Sequence, residues 1–119
     1  MLVCQKKNIM ETEHNRYLFT VVHALDHKGD NIKKIRDELL MPHSDYVVSI
    51  IDQIVVAGPM FAEDNKTIVG SVLIYKTDDT SEAEALLKAD PYFSAGIWEK
   101  ISINTFRGAI GDVVGGIAF

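Results

Sequence analysis

Two residues far apart in the chain, His43 and Asp90, have side chains suited to proton transfer. An imidazole titrates near neutral pH, so it gives or takes a proton where most side chains cannot. A carboxylate that accepts a hydrogen bond from Nδ1–H fixes the tautomer and leaves Nε2 free to act on a substrate. The pair predicts general acid–base catalysis if the fold brings the two residues together. The alternative for His43 is a structural role as a local cap at the start of a helix.

Four further residues are candidates for substrate binding. Arg36 lies seven residues before His43, so a continuous helix would place both on one face. Its guanidinium can hold an anionic substrate through two parallel hydrogen bonds, and the phenol of Tyr92 can donate into the same pocket. Gly58 and Pro59 would bring the backbone close to the cavity. The simpler alternatives are a solvated arginine, a packing role for Tyr92, and a turn that ends a strand at Gly58 and Pro59.

No motif in the sequence indicates a metal or a cofactor. His23 and His27 are four residues apart, but that spacing aligns two side chains only in a helix, and here it spans a strand end and a turn. Cys4 is the single cysteine, which excludes an intramolecular disulfide and a cysteine-based metal cluster. The glycines of the C-terminal tail do not open a helix as a phosphate-binding loop does. We therefore expect no metal site and no cofactor.

The position of Asp90 is set by Pro91, which disfavours helical geometry in the residue before it. A helix that begins at Ser81, with Glu84 completing a capping box, is therefore predicted to end at Asp90. On the other side of the site, residues 31–53 predict a helix that is kinked or restarted at Pro42.

Strands are predicted at residues 17–25, 54–57, 67–76 and 97–106, so the order is strand, helix, strand, strand, helix, strand. This order is typical of the ferredoxin-like α+β fold, in which both helices cover one face of an antiparallel sheet. The first three strands are almost continuously apolar, so the second face must also be covered. We predict a homodimer in which two sheets close into a dimeric α+β barrel. The predicted domain is 17–107, between a poorly ordered lead-in at 1–16 and a glycine-rich tail at 108–119.

Composition narrows the function classes. A chain of 119 residues fits one domain with one core. The formal charge of −5, without a basic cluster, argues against a nucleic-acid partner. No apolar run approaches the roughly 20 residues that cross a bilayer, so no membrane partner is expected. The single cysteine and the lack of a secretory signal predict a cytoplasmic location.

The order and spacing of several short pieces resemble the YciI-like (YCII-related) family. The similarity covers residues 17–107, and the pieces are Asp26 and Asn31, Arg36, His43, Ala57-Gly58-Pro59, Gly70-Ser71, Ala89-Asp90-Pro91-Tyr92 and Ala95-Gly96. The resemblance implies dimeric α+β barrels of ferredoxin-like subunits. It also implies a catalytic histidine and aspartate in a pocket, at the positions of His43 and Asp90.

The function implied by the resemblance is proton-transfer chemistry, as in a lyase or isomerase, on a small cyclic or enol-like acid. One relative in the superfamily removes chloride from a chlorinated hydroxyhydroquinone, and the wider superfamily includes muconolactone isomerases. This chain differs at Leu40, where many members have a second arginine, so specificity for an anion does not transfer directly. The alternative is a non-catalytic dimeric module that binds a small ligand or a protein partner.

Overall fold

One antiparallel sheet organises residues 17–118, which are the residues that the computed structural model describes. Its strands lie in the order β2-β3-β1-β4. Three helices connect the strands, and the predicted order of elements is confirmed. The strands are β1 (Leu18–Asp26), β2 (Ile54–Phe61), β3 (Ile68–Tyr75) and β4 (Trp98–Arg107), and the helices are α1 (Asp30–Ser49), α2 (Thr80–Lys88) and α3 (Pro91–Ser94).

The core lies between the helices and one face of the sheet. Val22, Leu73 and Tyr75 point from β1 and β3 toward the helices, and Ala83 and Leu87 of α2 pack against them. β-branched and aromatic side chains fit such a pleated, half-buried surface. On the opposite face of the sheet, several apolar side chains are exposed; they include Leu25, Val56, Phe61 and Phe106.

Helix α1 passes through Pro42 without a break, so the predicted restart of the helix at Pro42 is wrong, whereas a kink at Pro42 stays a prediction. A 3-10 turn at Ile51–Gln53 follows it. A proline inside a helix removes one hydrogen bond and costs about 3 kcal/mol, which packing of the helix on the sheet must outweigh here. The consequence for the site is that Arg36 and His43 stay on one helix face, two turns apart.

Asp90 lies at a helix terminus, as its position before Pro91 predicts, but at the start of α3. Helix α2 ends at Lys88, two residues before the predicted end at Asp90. The start of α2 also differs from the prediction. Its N-cap is Asp79, whose carboxylate accepts hydrogen bonds from the amides of Ser81 and Glu82, so Ser81 lies inside the helix.

Two irregularities in the sheet affect the site. The pairing of β1 with β4 shifts between Leu25 and Asp26, and this bulge pairs Asp26 with Trp98. Bulges re-aim side chains at the ends of strands. Strand β2 runs on through Gly58 and Pro59, where the sequence predicts that the strand ends. Because β2 is an edge strand, a proline there is tolerated.

The C-terminal segment forms a two-stranded hairpin of β5 (Ile110–Gly111) and β6 (Gly116–Ile117) around a 3-10 turn at Asp112–Val114. Val114 is buried, whereas Ile110 and Ile117 are exposed. The predicted lead-in, residues 1–16, lies outside the described residues. Within residues 17–118, no helix is both long and apolar enough to cross a membrane.

Candidate functional site

The structure brings His43 of α1 and Asp90 of α3 into direct contact. His43 Nδ1 lies 2.8 Å from Oδ1 and 2.9 Å from Oδ2 of Asp90. A carboxylate accepts hydrogen bonds, so Nδ1 carries the proton and donates it to this pair of oxygens. In the neutral ring Nε2 then has a free lone pair. This is the geometry that a histidine general base requires.

The carboxylate is fixed on one side and the imidazole is open on the other. Asp90 has a side-chain exposure of 1%, and its Oδ1 also accepts the backbone N–H of Tyr92 at 2.9 Å. The same oxygen therefore caps α3 and holds the imidazole. The side chain of His43 keeps 22% of its surface exposed, so a small molecule can reach one edge of the ring.

Tyr92 supports the histidine ring from within the core. The two rings are stacked, with centroids 3.9 Å apart and planes inclined by 15°. The phenol donates a hydrogen bond to the backbone oxygen of Arg36 at 3.1 Å. Burial raises the pKa of Tyr92 above its usual value, so the hydroxyl keeps its proton at neutral pH. The hydroxyl thus donates to the backbone of α1, whereas the sequence predicts that it donates into a substrate pocket.

Arg36 forms a second buried pair, with a residue that sequence reasoning did not single out as its partner. Its Nε lies 2.7 Å from Oδ2 of Asp26, and its Nη2 lies 2.9 Å from Oδ1. Nη2 also donates to Ser71 Oγ at 3.0 Å, and the guanidinium carbon lies 5.1 Å from the centroid of the Tyr92 ring. One available signal was position, because Asp26 ends the strand that leads into α1. The charge of Arg36 is therefore neutralised within the protein.

The other two predicted binding residues lie farther out on the sheet. Gly58 and Pro59 are exposed in β2, opposite Val72 and Ser71 of β3. Pro59 is thus one strand beyond the Ser71 hydroxyl that receives a hydrogen bond from Arg36. The proposed contacts of Arg36, Gly58, Pro59 and Tyr92 with a substrate stay predictions.

A cavity of about 730 Å³ opens beside the Arg36–Asp26 pair, between the end of β1 and the start of α1. His43 and Asp90 are not among its lining residues. In the part of the chain that the structure describes, no three histidine, cysteine, aspartate or glutamate side chains are grouped to hold a metal ion.

Comparison with known proteins identifies the family. The model of the YCII-related domain matches residues 17–107. The chain therefore belongs to the YCII-related family, and the predicted family is confirmed. Protein YciI of Escherichia coli O6:H1 (strain CFT073) and protein YciI of Shigella flexneri are each 31% identical to it over 94 residues. These matches cover 73% of this chain and 94% of each relative.

A solved structure with the same fold is 5-chloro-2-hydroxyhydroquinone dehydrochlorinase from Burkholderia phenoliruptrix AC1100, in complex with 2,5-dihydroxybenzoquinone. The match has a TM-score of 0.64 and 22% identity, and it covers 79% of this chain and 96% of that chain. The predicted ferredoxin-like α+β fold, with one antiparallel sheet and the helices on one face, is confirmed.

Proposed function

We propose that this protein is a small-molecule enzyme in which His43 transfers a proton and Asp90 orients the imidazole. The observation that carries the proposal is the contact of 2.8 Å between His43 Nδ1 and the buried carboxylate of Asp90, which also accepts a hydrogen bond from the Tyr92 N–H. A histidine held by a carboxylate on one side and open on the other is suited to general acid–base work.

The reaction type is that of a lyase or isomerase on a small cyclic or enol-like acid. Nε2 removes a proton from a carbon next to a carbonyl, and the electron pair of the broken C–H bond forms an enolate. In an isomerisation the imidazolium returns the proton to another atom of the substrate. In an elimination the electron pair expels a leaving group as an anion. The isomerisation regenerates the neutral imidazole when the proton returns to the substrate, and the elimination does so when the imidazolium releases its proton to solvent.

Membership of the family and the likeness to the dehydrochlorinase support this choice of chemistry. That relative is named for the removal of chloride from a hydroxyhydroquinone, and it was solved with a dihydroxybenzoquinone. Both molecules are small rings with acidic hydroxyl groups. We therefore place this chain's substrate in the same broad class without naming it.

Deuterium exchange tests the proposal before the complete reaction is known. Small cyclic ketones, hydroquinones and enolic acids are incubated with the protein in D2O, and loss of the proton signal next to the carbonyl is followed by NMR. We expect exchange with at least one compound and a loss of at least about 100-fold in rate for His43→Gln. His23→Gln is the matched control, because His23 is exposed on β1, away from α1.

Equal exchange rates for the His43→Gln variant and the intact protein would contradict a role for the imidazole. Absence of exchange with the whole panel, combined with measurable binding of its members, would favour the second candidate function.

That second candidate is a ligand-binding module without catalysis. It is favoured by one observation: the large cavity is lined by Arg36 and Asp26 and not by His43 or Asp90. Under this alternative, the His43–Asp90 pair fixes α3 against α1 and performs no chemistry. Binding without turnover by any ligand of the panel is the result that it predicts.

We also propose that the protein is a homodimer. The sheet face opposite the helices carries exposed Val56, Phe61 and Phe106, and large apolar patches of this kind are typical of interfaces. A second copy covering this face would complete the barrel that gives the superfamily its name. Light scattering at micromolar concentration should give twice the chain mass of 13.3 kDa, and a monomer would contradict this proposal.

A further inference from the structure

The cavity beside the Arg36–Asp26 pair has the properties of a separate binding site. Its volume of about 730 Å³ lies within the range of roughly 300–1,000 Å³ that is usual for small-molecule pockets. Apolar residues from three elements form one wall of it: Leu25 of β1, Ile32 of α1, and Ile68 and Val69 of β3. Such a wall suits a ring or a short aliphatic chain.

Positive charge surrounds this apolar wall. Four lysines line the cavity, from the loop after β1, the first turn of α1, the turn before β3, and β4; they are Lys28, Lys33, Lys66 and Lys100. Within residues 17–118, none of these four ammonium groups has an ion pair.

The acidic residues of the lining do not cancel this charge. Asp26 is held by Arg36 in a bidentate pair, and Glu99 lies 3.9 Å from the ring of His27. Asp30 and Asp37 are then the lining carboxylates without an ion pair in the described chain. His27 adds no formal charge, so four lysines face three carboxylates, those of Asp30, Asp37 and Glu99, in a protein whose formal charge is −5. This local excess favours an anion.

The cavity and the His43–Asp90 pair are neighbours but not one site. Arg36 lines the cavity and lies 5.1 Å from the Tyr92 ring, which in turn stacks on His43 at 3.9 Å. A ligand in the cavity therefore touches Arg36, which lies against the ring that supports the histidine, while neither Tyr92 nor the imidazole lines the space.

We propose that this cavity binds a small amphiphilic carboxylate. Its apolar body packs against Leu25, Ile32, Ile68 and Val69, and its carboxylate lies among the lysines. Arg36 contributes shape and not charge, because Asp26 already occupies its guanidinium. Binding requires no proton transfer, so the site does not depend on the proposed role of His43; it gives a ligand class to the second candidate function, which is argued from the same cavity.

The test is a binding titration with benzoate as the probe and benzamide as its neutral isostere. Backbone amide shifts of the 15N-labelled full chain report binding, and the dissociation constant is measured for three variants. We expect Lys33→Gln/Lys66→Gln to weaken benzoate binding about 10-fold. Lys34→Gln/Lys76→Gln removes the same charge from lysines outside the cavity, so it should change the constant less than about twofold. Exposed lysine substitutions leave folding almost unchanged.

His43→Gln separates this inference from the proposed function. Benzoate binding should change less than about twofold in this variant, whether or not the protein catalyses proton exchange. Loss of binding in His43→Gln would place the ligand at the imidazole and overturn the inference. Three other results would also overturn it. Equal weakening by both lysine pairs, or equal affinity for benzamide, would show that the cavity charges do not recognise the ligand. Equal affinity for inorganic phosphate would show that the apolar wall does not.

Discussion

Two basic residues of helix α1, Arg36 and His43, lie two turns apart, and each meets a buried carboxylate. Arg36 and Asp26 are almost fully enclosed, with side-chain exposures of 9% and 5%. In the other pair, Asp90 is enclosed at 1% but His43 keeps 22% exposure. The first pair is closed on both sides and the second is open on one.

The difference separates a structural ion pair from one that can do chemistry. A guanidinium stays protonated at every pH at which proteins fold, and its fork matches the two carboxylate oxygens. An imidazole exchanges its proton near neutral pH and presents Nε2 away from the carboxylate. The same helix face thus supports one pair suited to rigidity and one suited to proton transfer.

The largest effect is expected when the closed pair is broken. Asp26→Leu leaves the Arg36 charge buried without a partner, which should lower the free energy of unfolding by about 3–5 kcal/mol. Urea denaturation measures this loss. The double variant Asp26→Leu/Arg36→Met removes both charges and should recover most of the stability. If the single variant is as stable as the intact protein, the first pair is not a structural ion pair.

The next effect concerns the open pair and needs no substrate to be seen. In Asp90→Asn, the amide oxygen can still accept the Tyr92 N–H, so the NH2 group faces His43 Nδ1. The NH2 group is then a second donor beside Nδ1–H, which favours a ring that accepts at Nδ1 and carries its proton on Nε2. We expect 15N NMR to show a change from the Nδ1–H to the Nε2–H tautomer, with a loss of about 100-fold in any proton-exchange rate. An unchanged tautomer would contradict the orienting role of Asp90.

A smaller effect is expected from Tyr92, which touches both pairs. Tyr92→Phe removes the hydrogen bond to Arg36 but keeps the ring, so the loss of stability should be about 1 kcal/mol. Tyr46→Phe is a matched control, because the Tyr46 hydroxyl donates to the backbone oxygen of Leu86. Both variants should unfold alike, and neither should alter the His43 tautomer. A changed tautomer in Tyr92→Phe alone would show that the hydroxyl, and not the stacked ring, holds His43.

The smallest effect appears only in alkali. Burial raises the pKa of Tyr46, Tyr75 and Tyr92 in the folded state, so the unfolded chain releases these protons first. The contribution of these buried phenols to the free energy of unfolding is fully present below the pKa of tyrosine in the unfolded chain, about 10, and falls as the pH rises above it. Thermal unfolding between pH 8 and 11 checks this decline. A midpoint independent of pH above 10 would contradict it, and a shallower decline is expected for Tyr92→Phe.

Much of the fold and part of the site follow from local sequence signals. The alternation of strands and helices gives the ferredoxin-like order, and Pro91 places Asp90 at a helix end. The partner of Arg36 did not follow from such signals, because the contact with Asp26 depends on how α1 lies against the end of β1. The extent of β2 was also missed, since cross-strand pairing with β3 carries the strand through Gly58 and Pro59.

The Arg36–Asp26 ion pair also bears on which strand pairing the chain selects during folding. Side chains in a strand alternate between faces, so a one-residue slip of β1 would turn Asp26 to the face away from the helices. Arg36 would then lie in the interior with an unbalanced charge, at a penalty of about 3–5 kcal/mol. The ion pair thus discriminates against the neighbouring register, and a buried charge that adds little to net stability still makes one arrangement of the sheet unique.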